Sequence, residues 1–211
     1  VPDFPILQNP SGLFYQNGFL YILDAGNGRV LRYRDGFVSK LFSEAPIFAS
    51  TNIANGGGLW VSSDEQEAFY TDGTVLKHWE ASELENGSGG VTVLAQGFVH
   101  LTDVKVNPQG RTIVTDQGAN RVYRVRGNGS YLEDIQAGNG LTRGLSVGDA
   151  RRVALNGPNS LAYLPLGGYL ISTDAGARVW YVDIDGDAAP IVFGRAPTAT
   201  KPGAHAGDGR W

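Results

Sequence analysis

Cysteine and methionine are both absent from the 211 residues. Without thiols there is no disulfide framework and no thiolate metal site. Methionine is missing even at position 1, as expected of a chain that follows a removed signal or upstream segment, and the expected location is extracellular or periplasmic. Basic charge is scarce, with 17 Lys and Arg against 21 Asp and Glu and a formal net charge of -4. No stretch combines clustered Lys/Arg with stacking aromatics, so nucleic acid is excluded as an expected partner. Long apolar runs are lacking too: nothing approaches the roughly 18 residues of a membrane span, and no membrane insertion is expected. Neither a Gly-x-Ser-x-Gly elbow nor a P-loop occurs, and "GNGLTRG" lacks the strand-to-helix context of a dinucleotide fingerprint.

What is abundant is glycine, with 30 residues, alongside 10 prolines. Turns this frequent favour short strands. They punctuate a repeat: "LYILDAGNGRVLRYRDG" (20 to 36) returns as "TIVTDQGANRVYRVRGNG" (112 to 129) and as "LISTDAGARVWYVDIDG" (170 to 186). Each copy holds an alternating apolar run ending in Asp24, Asp116 or Asp174, which suits a half-buried strand. A Gly-containing turn follows, and Arg29, Arg121 or Arg178 opens the returning strand. Asp35-Gly36, Asp72-Gly73, Asn128-Gly129 and Asp185-Gly186 then supply a second hairpin turn.

One further strand lies upstream of each unit and one downstream, and four antiparallel strands per unit make a propeller blade. The expected fold is therefore all-β, a β-propeller with four blades visible at about residues 9–47, 48–97, 98–137 and 157–194, then an inter-blade loop at 195–211. In the second blade the inner strand is expected in "STNIANG" (50 to 56), with Asp72-Gly73 as its second hairpin turn. A four-bladed piece would expose sheet edges, so the chain is read as an incomplete part of a six-bladed ring.

The pattern resembles NHL-repeat β-propellers, whose blades typically run proline, small residue, Gly-Leu-Ala, an apolar strand ending in Asp, then Asn-x-Arg-Val. "NPSGLFYQNGFLYILDAGNGRVLRY" and "GPNSLAYLPLGGYLISTDAGARVWYV" carry that resemblance, which covers about residues 9 to 194. It implies a non-catalytic scaffold binding a protein, peptide or glycan on a propeller face. More distantly, the Asn and Asp segments are similar to gluconolactonase and regucalcin-type propellers, which hold a divalent ion on the axis. That resemblance implies an alternative, a metal-dependent lactonase or esterase in which an axial cation acts as Lewis acid.

Candidate site residues follow from aligning the inner strands on Leu13, Ile53, Val104 and Leu161. Gly12, Asn52, Asp103 and Ser160 then share one level, with Ser11, Thr51, Thr102 and Asn159 one residue earlier. Asn52, Thr102, Asp103 and Asn159 are the expected ligand-binding residues, and Asn52, Asp103 and Asn159 would supply the oxygen atoms that a hard cation such as Ca²⁺ requires. No cofactor is expected beyond that ion. Against the metal, the usual Asn-Gly pair reads Asn159-Ser160, and no early glutamate precedes the first blade. His78, His100 and His205 offer a zinc set on paper, but only His100 falls at an inner strand. The Arg and Asp recurring in every unit are expected to build blades, not to bind.

Overall fold

Seventeen strands in four antiparallel sheets form the computed structural model, which describes residues 6–43, 57–81, 90–130, 134–165, 167–175 and 177–191. The first sheet runs β1 (Pro10–Gln16), β2 (Phe19–Asp24), β3 (Arg29–Arg34) and β4 (Phe37–Ser43) in sequence order. Its two tight hairpins turn at Asn17-Gly18 and Asp35-Gly36, where both central residues hold positive φ, 52° and 83° in one and 50° and 86° in the other. That is the geometry that matches strand twist, and it selects Asn-Gly and Asp-Gly.

The second sheet is β5 (Leu59–Val61), β6 (Glu67–Asp72), β7 (Val75–Glu80) and β8 (Gly90–Gln96). The third is β9 (Leu101–Val106), β10 (Thr112–Asp116), β11 (Arg121–Val125) and β12 (Ile135–Ala137). The fourth joins β14 (Pro158–Tyr163), β15 (Tyr169–Thr173), β16 (Arg178–Val182) and β17 (Asp187–Pro190), and the short β13 (Gly148–Asp149) adds a fifth strand beside β17. The first strands of the sheets, β1, β5, β9 and β14, pack in succession. The fold is a β-propeller, and these four strands line its axis.

Three apolar cores fill the three interfaces between neighbouring blades. Tyr21, Leu23, Val30, Tyr70 and Trp79 meet between blades one and two, where Phe42 stacks on Trp79 with centroids 4.5 Å apart. Phe69, Leu76, Val114 and Tyr123 join blades two and three, and Ile113, Leu155, Ile171 and Trp180 join blades three and four. Burying one such aromatic removes roughly 150–250 Å² from water, worth roughly 4–6 kcal/mol as an upper bound. Among the described residues no core joins blade four back to blade one. The far face of blade one instead carries two apolar cross-strand rows, Leu13, Ile22 and Leu31, then Tyr15, Leu20 and Tyr33. Leu13 is 65% and Tyr15 70% exposed there.

Two registers differ from the sequence reading. In blade two the inner strand is Leu59–Val61, and Leu59 opposes Tyr70 as Leu13 opposes Ile22, Val104 opposes Val114 and Leu161 opposes Ile171. Leu59 thus takes the place expected of Ile53, and Asp72-Gly73 closes the β6–β7 hairpin instead of the following one. β6 is buried at five consecutive positions, and Asp-Gly fits either hairpin, so periodicity alone could not set the frame. In blade four the strand-end place belongs to Thr173, which pairs with Arg178 as Asp24 pairs with Arg29 and Asp116 with Arg121. The Thr173 hydroxyl accepts from Arg178 N at 3.3 Å and donates to its carbonyl at 3.1 Å, leaving Asp174 in the turn.

Candidate functional site

Inner-strand bulges set the channel level. On β1, β9 and β14 one residue is skipped in the pairing with the second strand, and the skipped residues are Ser11, Thr102 and Asn159. A bulge re-aims its side chain and twists the strand, so the equivalence expected for these three holds. The next residues, Gly12, Asp103 and Ser160, also align, but their counterpart in blade two is Gly58, which faces the Thr71 hydroxyl through its N–H at 2.8 Å. Asn52 was expected at that place and lies outside the described residues, as do Thr51, Ile53 and His205.

Asp103 is turned sideways into the seam between blades three and four. It is 5% exposed, and Oδ1 accepts from Val104 N at 2.8 Å and Lys105 Nζ at 2.5 Å. Oδ2 accepts from Leu161 N at 2.8 Å and the Ser160 hydroxyl at 3.0 Å. Two carboxylate oxygens have about four acceptor positions, so this side chain is saturated. Gly58 stands opposite on the blade-two side, where an added Cβ would lie 2.3 Å from Val104 N and 2.5 Å from the Asp103 Cα. Neighbouring inner strands touch at this level through backbone, and Gly58 brings no side-chain oxygen to it. A Ca²⁺ ion needs six to eight oxygens; among the described residues of this level, a glycine, a saturated carboxylate and an amide do not supply them.

Thr102 is equally committed. Its hydroxyl lies 2.8 Å from the Thr115 hydroxyl, and both reach β14 carbonyls, Pro158 O at 3.3 Å and Asn159 O at 3.4 Å. At the channel mouth, Asn159 Nδ2 donates to Asp174 Oδ1 at 2.9 Å and Gln117 Nε2 to Asp174 Oδ2 at 2.7 Å. His100 Nδ1 lies 3.2 Å from Gln117 Oε1. The recurring carboxylates do build blades: Asp116 accepts from the N–H groups of Val99, His100 and Ala119, and Asp24 from Gln8 N and Arg29 Nε. Among the described residues the strand-end Asp pairs with its Arg only in blade one, at 2.7 Å.

The opposite face carries a feature that the repeat did not announce. Between blades three and four the hairpins Asn107–Arg111, Leu164–Gly168 and Asp183–Gly186 enclose a cleft of roughly 780 Å³, within the size range of ligand sites. Ile113, Tyr169 and Val182 belong to its lining, together with Arg111, Arg124 and Tyr163. Burial pushes the Tyr163 phenol well above its ordinary value, against the pull of Arg111 and Arg124, so it stays a proton donor. Its hydroxyl reaches only the Arg111 carbonyl, at 3.4 Å. Arg124 stands 3.8 Å from Asp134, an acid that also meets Arg126 at 3.2 Å and Gln136 at 2.8 Å. Asp183, the acid within the lining, has its Oδ1 taken by the turn amides of Asp185 and Asp187. Cationic donors therefore dominate this cleft in a chain whose net charge is negative. Sequence reading missed it because the cleft arises where hairpins of two blades pack together, and a repeat within each blade does not show how neighbouring blades meet.

The chain resembles many solved structures in shape. The chain is similar to virginiamycin B lyase from Staphylococcus aureus, solved with quinupristin, at 10% identity and TM-score 0.59, covering 92% of this chain and 58% of that one. It is also similar to a nidogen/laminin complex chain at 13% identity and TM-score 0.59, covering 85% and 61%. An auxiliary nutrient binding protein from Bacteroides ovatus matches at 14% identity and TM-score 0.63, covering 88% and 49%. The chain thus spans about half to three fifths of the length of these structures. No family model matches, and no curated protein matches.

Proposed function

We propose that this chain is a non-catalytic binding propeller of the NHL type, and that the cleft between blades three and four receives a protein, peptide or glycan ligand through a carboxylate. The observation that carries this reading is the contrast between its two faces. At the channel Thr102, Asp103 and Asn159 are spent on neighbouring side chains and on backbone, whereas the cleft gathers Arg111, Arg124 and the Tyr163 hydroxyl, of which Arg124 meets its acid only at 3.8 Å and the hydroxyl its carbonyl only at 3.4 Å. Guanidinium groups bind carboxylates in charge-assisted, often bidentate pairs. The exposed Ile184 and the lining prolines Pro108 and Pro165 offer apolar surface beside them. Similar folds include proteins described as nutrient binding and as part of a nidogen/laminin complex, which supports binding as the general role.

A lactonase or esterase mechanism would need Asp103 to give up its four donors to an ion. The apolar far face of blade one supports the further reading that these four blades belong to a larger ring, six blades in the NHL pattern, with another blade covering Leu13, Tyr15 and Tyr33. A thermal-shift titration tests the ligand proposal. Acetylated tetraglutamate or digalacturonate should raise the melting temperature of the wild type, while tetraglutamine and digalactose should not, and Arg111→Ala with Arg124→Ala should abolish the response. Equal responses from wild type and double variant would refute it.

A further inference from the structure

On the blade-two face towards blade three, β6 and β7 bring together Glu67, His78 and Glu80. Glu67 and Glu80 oppose each other directly across the two strands, and His78 precedes Glu80 by two positions on the same face. Like charges directly opposite in a sheet repel. The His78 ring is fixed by stacking on Phe69, its neighbour in register, with centroids 4.4 Å apart and planes 9° from parallel. Its Nε2 is buried with no hydrogen-bond partner, and the nearest acid oxygen, Glu80 Oε1, stands 3.9 Å away. A buried polar atom without a partner calls for a reason.

We propose that Glu67, His78 and Glu80 bind one divalent transition-metal ion, of which zinc is the type. The three offer one imidazole nitrogen and two carboxylate oxygens, and these donor atoms all lie within 4.8 Å of one another. Zinc takes such ligands at about 2.0–2.2 Å, which places donors roughly 3.4 Å apart in a tetrahedron. The residual closure falls to the glutamates: Glu67 is exposed and the Glu80 side chain is 67% exposed, whereas the histidine is already held in place. Across from Glu80 on β8 stands Gly90, beyond whose Cα an added Cβ would meet nothing within 4 Å. That open side leaves a coordination position for water. A dication there removes the Glu67–Glu80 repulsion and gives the Nε2 lone pair its partner. Nitrogen in the set selects against Ca²⁺ and Mg²⁺, which take oxygen ligands. This site lies apart from the ligand cleft and does not depend on it.

The test uses the whole chain after chelation, titrated with zinc chloride alone, with bound metal counted after equilibrium dialysis and with melting temperature followed in parallel. One zinc per chain is expected, with no comparable uptake of calcium or magnesium. His78→Phe, which keeps the stacking on Phe69, and Glu67→Gln should each weaken zinc by more than about tenfold, the toll already seen for outer-shell partners. Glu67→Gln should also leave the metal-free protein at least as stable as wild type, because it removes the repulsion. Absence of stoichiometric zinc in the folded wild type, or unchanged zinc affinity in both folded variants, would overturn the assignment.

Discussion

Replacing Asp103 by alanine separates a girder from a ligand. The carboxylate spans the seam between blades three and four, and its removal strands two buried backbone donors, Val104 N and Leu161 N. Each buried donor left without an acceptor costs about 1–3 kcal/mol. The Ser160 hydroxyl is exposed and turns to water, and the Lys105 side chain, 21% exposed, regains part of its hydration, so these two add less. The sum is about 3–5 kcal/mol, the range for removing one partner of a buried pair. For a chain of this size that lowers the melting temperature by roughly 6–20 °C. Asp103→Asn keeps one acceptor oxygen and should show about half the loss. Thermal unfolding in chelator-containing buffer reads the effect without any bound ion. A change under about 2 °C there, with destabilisation emerging only when Ca²⁺ is supplied, would refute the girder account and restore the axial-ion reading.

Three other outcomes follow from the same geometry. Arg29→Ala leaves the fully buried Asp24 without its ion pair and should cost about 1–2 kcal/mol, whereas the exposed Arg178, paired in register with Thr173, should change stability by less than about 0.5 kcal/mol on truncation; denaturant melts of both variants check this. Because the chain has no cysteine, Ser11→Cys with Gly57→Cys should oxidise to a cross-link after a small backbone adjustment, since the Gly57 Cβ position lies 3.0 Å from the Ser11 Cβ, about half an ångström inside the roughly 3.5–4.5 Å of a disulfide; a cross-link instead between Ser11→Cys and Thr51→Cys would restore the first frame for blade two. The Ser62 hydroxyl and the Gln66 N–H hold the exposed Asp64 carboxyl below its ordinary value, so the stabilisation is present above about pH 4 and lost as pH falls through the lowered value. Protection of the Gln66 amide against hydrogen exchange, taken relative to the intrinsic rate at each pH, should fall over that interval and stay flat from pH 5 to 7.

Much of the fold was legible because its determinants are local. Alternation marked the strands, Asp35-Gly36 marked a hairpin, and the levels of Leu13, Val104 and Leu161 came out in true register. Blade two failed for a physical reason: a strand pattern states which face is buried but not which place in the sheet the strand takes, and Asp72-Gly73 suits either hairpin. Blade four slipped by one residue because Thr173 replaces the strand-end carboxylate while an Asp follows it directly. The site was harder. Asp103 was recognised as an unusual inner-strand carboxylate, yet its orientation depends on donors 57 and 58 residues away, Ser160 and Leu161, which no local pattern reveals. The cleft and the Glu67–His78–Glu80 cluster arise from pairing between strands and packing between blades, so neither has a contiguous sequence signal.

Backbone amide NMR during titration with acetylated tetraglutamate or digalacturonate tests the binding account most directly, because the two faces of the propeller carry separate sets of amides. Saturable shifts are expected around Asn107 to Arg111, Tyr163 to Gly168 and Asp183 to Gly186, and they should vanish in the Arg111→Ala, Arg124→Ala double variant. Shifts centred instead on Val99 to Asp103, Gln117, Asn159 and Asp174 would place the ligand at the channel mouth and contradict the account.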